Sequence, residues 1–517
     1  MLSVESYGEL IRNLGRPKKL EQLLALHAHV LARLGATVVP FHWQLEFPEA
    51  FVDLGRNESE GFDVVIGNPP YDVLASREVG TDLSPLKRFL RNQAEYRASF
   101  VGKNNLYKLF ICKGIGLLRD GGYLGFIVPM SLLGDEQAIG IRELILSSGA
   151  LVEIHAFPQK DDPRKRVFPE AKLSTAVFVI VKASDASVPG RGFTATRHPG
   201  REFLPDSPSL RISVEEIARY DPANKTIVSC SQQDWDLAVR LMTQLNFCRL
   251  GDCYKSFQGE LNETTHGKRG LISANPDDGP EILRGSTICL YAVREPSQGE
   301  PRFLRCSMYL KKAAPGSRAW HSQEPRIGFQ RSAPQNNFRR IIAAPIAKGA
   351  FCFDTVSYIP ASEARLPLPF ILALLNSTLL EWYFRLGSSN SKLNEYQFNN
   401  LPCPSFTTNP VEGEREMLEK LRKARAASDW GRVESLVDQG GLLAPPFSAT
   451  LMTLLVDLSE TICAIEAHRG EISRAERAAL DLEGQPIQDL IDRLLFNMAG
   501  FKNPEVAGIL KRMEALV

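Results

Sequence analysis

Between residues 62 and 71 the chain reads Phe-Asp-Val-Val-Ile-Gly-Asn-Pro-Pro-Tyr. Val64 to Ile66 form a short β-branched run suited to a buried parallel strand, and Gly67, Pro69 and Pro70 forbid its continuation. The chain must therefore turn at the carboxyl end of a strand, which is where open α/β sheets place their ligands. What it presents there is a primary amide, a proline carbonyl and an aromatic face. These suit a flat heterocycle with an exocyclic amine: Asn68 Oδ1 and the Pro69 carbonyl each accept one N–H, and Tyr71 stacks on the ring. The amine of adenine is a weak nucleophile because its lone pair is delocalised. Two acceptors that favour a pyramidal nitrogen free that pair for attack on an activated methyl group and stabilise the charge that develops. The plainer reading of the same residues is a turn after a strand.

Composition bounds the alternatives. A length of 517 residues suggests about three domains, and an apolar fraction of 44% is ample for buried cores. No run of about 18 apolar residues marks a membrane span, and no basic start leads into a cleavable apolar stretch, so a cytoplasmic location is expected. Nine cysteines without Cys-x-x-Cys pairs read as reduced thiols; no metal site or disulfide framework is expected of them. Cys248 and Cys253 are the closest pair, and they read as small hydrophobes.

Net charge is +1, but its distribution is uneven. Residues 301–350 hold ten Lys or Arg against the single acid Glu324, leaving that stretch at +9 and the remainder at −8. A local excess of this size is the footprint of phosphate contact, so double-stranded DNA is the expected partner. Lys268, Arg269, Arg284, Gln330, Arg331, Arg339 and Arg340 are the candidate DNA-binding residues, because Arg and Gln can also read base edges.

Asn68-Pro69-Pro70-Tyr71 after an apolar strand resembles the target-amine motif of adenine-specific DNA methyltransferases. The stretch Phe41-His42-Trp43-Gln44-Leu45-Glu46-Phe47 is similar to the one before that motif in methylases of type IIG restriction–modification and BREX-type phage-defence systems. Asn105-Leu106-Tyr107-Lys108, the strand Tyr123–Pro129, Arg166-Val167-Phe168-Pro169-Glu170, the strand Ser174–Val181 and Asn394–Pro402 follow in the order of that family. The resemblance implies catalytic roles for Asn68, Pro69, Pro70 and Tyr71, base stacking by Phe168, and S-adenosylmethionine contacts from His42 and Trp43. It also implies an α/β fold: a partial doubly wound, Rossmann-like methyltransferase sheet, a mixed α/β target-recognition domain and a helical C-terminal region. The expected boundaries are 1–37 for an N-terminal helical segment (Leu20 to Leu34 carries its apolar stripe), 38–183 for the catalytic part, 184–226 for a linker rich in Pro, Gly and Ser, 227–405 for target recognition and 406–517 for the helical tail.

One element of the family is missing. The glycine-rich turn that holds S-adenosylmethionine does not occur in the 67 residues before Asn68, nor after an apolar strand later on. A sheet without that strand leaves Val64 to Ile66 as an unpaired edge, which soluble proteins avoid. Either a complementing polypeptide carrying the cofactor motif or a truncated remnant of such an enzyme is therefore expected. Two further readings are a DNA-recognition subunit without methylation of its own, and a protein glutamine methyltransferase, since those enzymes also use Asn-Pro-Pro-Tyr.

Overall fold

The computed structural model describes residues 41, 43–51, 60–75, 82–147, 149–182, 192–296, 299–311, 314, 316–334, 337–388, 391–407, 413–439, 443, 445–470 and 479–514. The expected helical segment at 1–37 lies outside them. The chain divides into two units, Met1–Val128 with Glu143–Glu153 and Val177–Arg191, and Pro129–Arg142 with Ile154–Ala176 and Gly192–Val517. A six-stranded sheet has the order β1-β2-β4-β3-β5-β6, with β1 at Phe62–Gly67, β2 at Leu118–Pro129, β3 at Gly149–Phe157, β4 at Thr175–Lys182, β5 at Phe193–Arg197 and β6 at Ser209–Ile212.

In the first unit, β1 pairs in parallel with β2, and the helix Leu106–Leu117 feeds directly into β2. The register runs from Val64↔Tyr123 to Gly67↔Phe126, after an irregularity that accommodates the residues between Leu118 and Tyr123. Gly61 permits this close approach: its φ is +129°, and a Cβ there would meet the Arg119 backbone nitrogen at 2.4 Å. Arg119 Nε reaches Asp63 Oδ1 at 2.7 Å and holds that carboxyl below its usual range. Both partners are solvated, so the pair contributes little to stability. Phe62 anchors the start of β1 in an aromatic cluster, with ring centroids 5.8 Å from Trp43, 5.3 Å from Phe47 and 5.1 Å from Phe51.

Among the described residues β1 pairs on one side only, which is the edge expected of a sheet without the donor strand and not the burial its apolar run suggests. Val64 is 59% and Ile66 is 83% exposed. β-branched residues satisfy the pleat of an edge as well as that of an interior strand, so composition does not separate the two.

The second unit contains β5 and β6, antiparallel from Phe193↔Ile212 to Thr196↔Ser209. These strands, and the helix Val214–Tyr220 with its Ser213/Glu216 capping box, occupy the span read as a linker. Ser-Leu-Arg-Ile alternates exposed and buried residues and Phe-Thr-Ala-Thr-Arg does so at its start, a short signal obscured by the surrounding prolines and glycines. Further along, four antiparallel strands have the order Ala343–Ile346, Arg326–Gln330, Val356–Pro360, Phe257–Gln258.

Two helices follow, Leu368–Leu375 and Thr378–Gly387. Asn376 and Ser377 make the break. Ser377 caps the second helix through Leu380 N–H, while the Asn376 amide bonds both backbone groups of Ala343 at 3.0 and 2.9 Å. Glu381, fully buried, accepts from Arg340 N at 3.0 Å, Ile341 N at 2.8 Å and Arg385 Nε at 2.6 Å. Among the described residues after Gly413 every element is a helix, the last two being Gln485–Met498 and Asn503–Glu514. Among the described residues no helix is long and apolar enough to cross a membrane.

Removing the Glu381 carboxylate strands two buried N–H groups and a guanidinium. Glu381→Ala is expected to destabilise the second unit by about 3–5 kcal/mol in urea unfolding, with Glu381→Gln losing less.

Candidate active site

The turn after β1 is built by its neighbours. Asn68 and Pro70 are exposed and Pro69 is buried, so the chain leaves the sheet with the amide of Asn68 at the surface. The Tyr71 hydroxyl donates to the Ile127 carbonyl at 3.2 Å, near the carboxyl end of β2. That bond fixes the ring, and burial pushes the hydroxyl up to about 12, so it remains a donor at neutral pH.

Asn105 sets the backbone of the turn. Its Nδ2 donates to the Tyr71 carbonyl at 3.2 Å, Leu106 N–H donates to the Asp72 carbonyl at 2.8 Å, and Leu74 N–H donates to the Asn104 carbonyl at 2.7 Å. Val73 and Asn105 thereby form an isolated antiparallel bridge. Lys108, one turn into the helix, is 1% exposed and gives its ammonium to the carbonyls of Val101 at 3.0 Å and Lys103 at 2.8 Å. The Asn-Leu-Tyr-Lys stretch thus braces the turn and the approach to the helix, which sequence reasoning had placed only as a landmark.

Phe168, half-buried, lies in the second unit on a loop between β3 and β4. Arg166 organises that loop, bonding the carbonyls of Lys160, Pro169 at 3.0 Å and Asp161 at 3.3 Å. Ser174 Oγ closes its base on the Pro158 carbonyl at 2.7 Å. Trp43 packs edge-on against Phe62 and stacks with Phe47 at 5.9 Å, so its ring serves the aromatic cluster. His42 lies outside the described residues. β1 is the first strand among the described residues, so no glycine turn of a preceding strand is there to hold S-adenosylmethionine.

The basic candidates divide sharply. Lys268 and Arg269 are exposed at the end of the helix Glu263–Lys268. Arg284 lies over Phe353 at 5.0 Å and pairs with Glu263 at 3.2 Å. Gln330 donates to the Ile288 carbonyl at 2.8 Å, Arg331 to Asp354 at 2.8 Å, and Arg339 to Asn376 at 2.6 Å. Arg340 is 2% exposed, over the Phe384 ring and bonded to Ser388, which makes it an internal strut and corrects its place among the DNA-binding candidates. Arg326, from the same +9 stretch, is paired with Glu260 where both side chains are fully buried. Burial pushes the Glu260 carboxyl up, and the opposing charge of Arg326 resists that shift. A linear count of charges therefore overstates the positive surface.

Because Asn105 holds the turn through its amide, Asn105→Ala is expected to speed hydrogen exchange at Leu74 and Leu106 about tenfold or more, leaving the Phe62 cluster protected.

Residues 12–163 match the family model described as Eco57I restriction-modification methylase. A type II methyltransferase of Thermus thermophilus, M.TthHB8I, is 31% identical over 148 residues, which cover 28% of this chain and 31% of that protein. The type II methyltransferase M.HincII of Haemophilus influenzae is 27% identical over 125 residues, covering 24% of this chain and 23% of its own. Among solved structures, that of the type IIL restriction-modification enzyme MmeI in complex with DNA covers 88% of this chain and 57% of its own at 12% identity, with a TM-score of 0.46. The matched segments thus span under a third of the curated relatives' length. The segment that carries Asn68 to Tyr71 is thus similar to restriction-modification methylases.

Proposed function

We propose that this chain is the acceptor-binding and target-recognition portion of an adenine-specific DNA methyltransferase, acting in the cytoplasm in a restriction–modification or phage-defence system. The observation that carries the reading is the Asn68–Tyr71 turn, set at the end of a parallel strand and braced by Asn105 and the Ile127 carbonyl. A flipped adenine presents its N6 amine to Asn68 Oδ1 and the Pro69 carbonyl, which draw the two N–H bonds out of the ring plane and leave the lone pair free. Tyr71 supplies a stacking face whose tilt is fixed by its hydroxyl, and Phe168 is the proposed second stacking residue. Asparagine at the first position, where serine or aspartate would suit cytosine, favours adenine.

S-adenosylmethionine is the proposed methyl donor, held by a complementing polypeptide beyond the described residues. A second reading is a DNA-recognition subunit without methylation of its own. Incubating the chain with labelled S-adenosylmethionine and host DNA, alone and with the product of the upstream reading frame, separates the two. Label in N6-methyladenine only with both present supports the methyltransferase; none under either condition supports the recognition subunit.

Asn68 is exposed, so its loss leaves the fold intact. Asn68→Ala is expected to cut methyl transfer by the completed assembly about a hundredfold or more, with DNA affinity unchanged in a mobility-shift assay. Unchanged transfer overturns the proposed acceptor site. For DNA contact the exposed pair Lys268 and Arg269 is proposed. The double variant Lys268→Glu/Arg269→Glu should weaken binding to all sequences alike and reduce the slope of log K against log salt by about 2.

A further inference from the structure

Three cysteines that the proposed methyl transfer does not use meet in the second unit. Cys248 lies on the strand Phe247–Arg249 and Cys403 on Pro402–Pro404, and the antiparallel register sets them directly opposite one another. After Arg249 the chain makes a single 3₁₀ turn, Leu250–Asp252. Leu250 N–H donates to the Leu401 carbonyl at 2.7 Å, and Cys253 N–H donates to Leu250 at 2.9 Å, so the turn folds back and delivers Cys253 to the same pair of strands. Gly251 allows that fold: a Cβ there would meet Cβ of Asn399 at 2.7 Å. The Sγ of Cys253 ends 3.8 Å from that of Cys248 and 3.7 Å from that of Cys403, and all three sulfurs lie within 4.8 Å of one another.

Those distances have a specific meaning for a metal. Zinc binds thiolate at about 2.3 Å, and in a tetrahedron that bond length puts neighbouring sulfurs about 3.8 Å apart. A disulfide needs about 2.05 Å and would leave the third thiol idle. No His, Asp or Glu joins the cluster among the described residues, so a metal would keep one position for water.

We propose that Cys248, Cys253 and Cys403 bind one zinc ion as thiolates, with water in the fourth position. Each thiol gives up its proton on binding, and the ion replaces the lost S–H bonds with three Zn–S bonds. The ligands come from segments 150 residues apart in the chain. Such a site would clamp the start of the proposed target-recognition region to its closing segment Asn394–Pro404, where zinc stabilises by closing a long loop.

The test uses the full reduced chain, purified without chelator. Plasma mass spectrometry should find about one zinc per chain, and exchange with cobalt(II) should give a thiolate-to-cobalt charge-transfer band with tetrahedral d–d bands. Maleimide labelling of the native protein should spare these three cysteines until a chelator is added. Cys253→Ser, at the turn, should lower zinc content about tenfold or more while its circular dichroism stays native, whereas Cys306→Ser should keep the full equivalent. If Cys253→Ser misfolds, the labelling result on the unaltered chain still decides. Folded, reduced protein that holds no zinc after zinc loading and shows no cobalt band overturns the site. So does a Cys248–Cys253 disulfide in its place, or full zinc retention by a folded Cys253→Ser variant.

Discussion

The parallel register of Val64 to Gly67 against Tyr123 to Phe126 fixes where the chain must leave the sheet. A strand that ends in Gly-Asn-Pro-Pro has no further N–H groups to offer a ladder beyond Asn68, so its neighbour continues alone. That mismatch in length creates a step at the sheet's end, and the Ile127 carbonyl on the longer strand becomes available to Tyr71. Asn105 completes the arrangement from the following helix, using one amide to satisfy a carbonyl that the turn would otherwise leave to water. The acceptor groups of the proposed site are thus held by backbone bonding at both ends, and Asn68 itself is left at the surface.

Guanidinium groups do a second kind of work. Arg142, fully buried, bonds the carbonyls of Leu132 at 2.9 Å, Asp135 at 2.7 Å and Asn224 at 3.0 Å, along with the Asn224 amide at 2.6 Å. Arg166 gathers three carbonyls of the Phe168 loop in the same manner. Five donors on a rigid plane make arginine able to satisfy several irregular carbonyls at once, which lysine cannot do with equal economy of order. The segment around Asp135 and Asn224 and the Phe168 loop are ordered by that means.

Strands β1 and β4 and the turn were legible because they rest on local signals: β-branched runs for the strands, and Gly with Pro for the stop. The Arg166-Val-Phe-Pro-Glu segment was placed between two strands by its order in the family resemblance. Burial of β1 was misjudged because an edge and an interior strand differ in what lies beside them, which one sequence does not encode. β5 and β6 were missed because each alternation is four or five residues long and sits among turn-forming residues. The basic stretch was misread for a different reason. Charge counts are one-dimensional, whereas Arg326 meets Glu260 across 66 positions and Arg340 meets the Glu381 carboxylate through its backbone across 41. The three cysteines were invisible as a group for the same reason, since Cys403 joins the other two only through strand pairing.

The fully buried Glu260–Arg326 pair has a consequence for recombining this chain with its relatives. Each residue neutralises the other inside the four-stranded region, so neither is replaceable singly without leaving an unbalanced ion in apolar surroundings. Recombination between homologues with a crossover anywhere from 261 to 325 would inherit the acid from one parent and the base from the other. Unless both parents carry the same pair, viable chimeras of this region must take residues 260 and 326 as one inherited block.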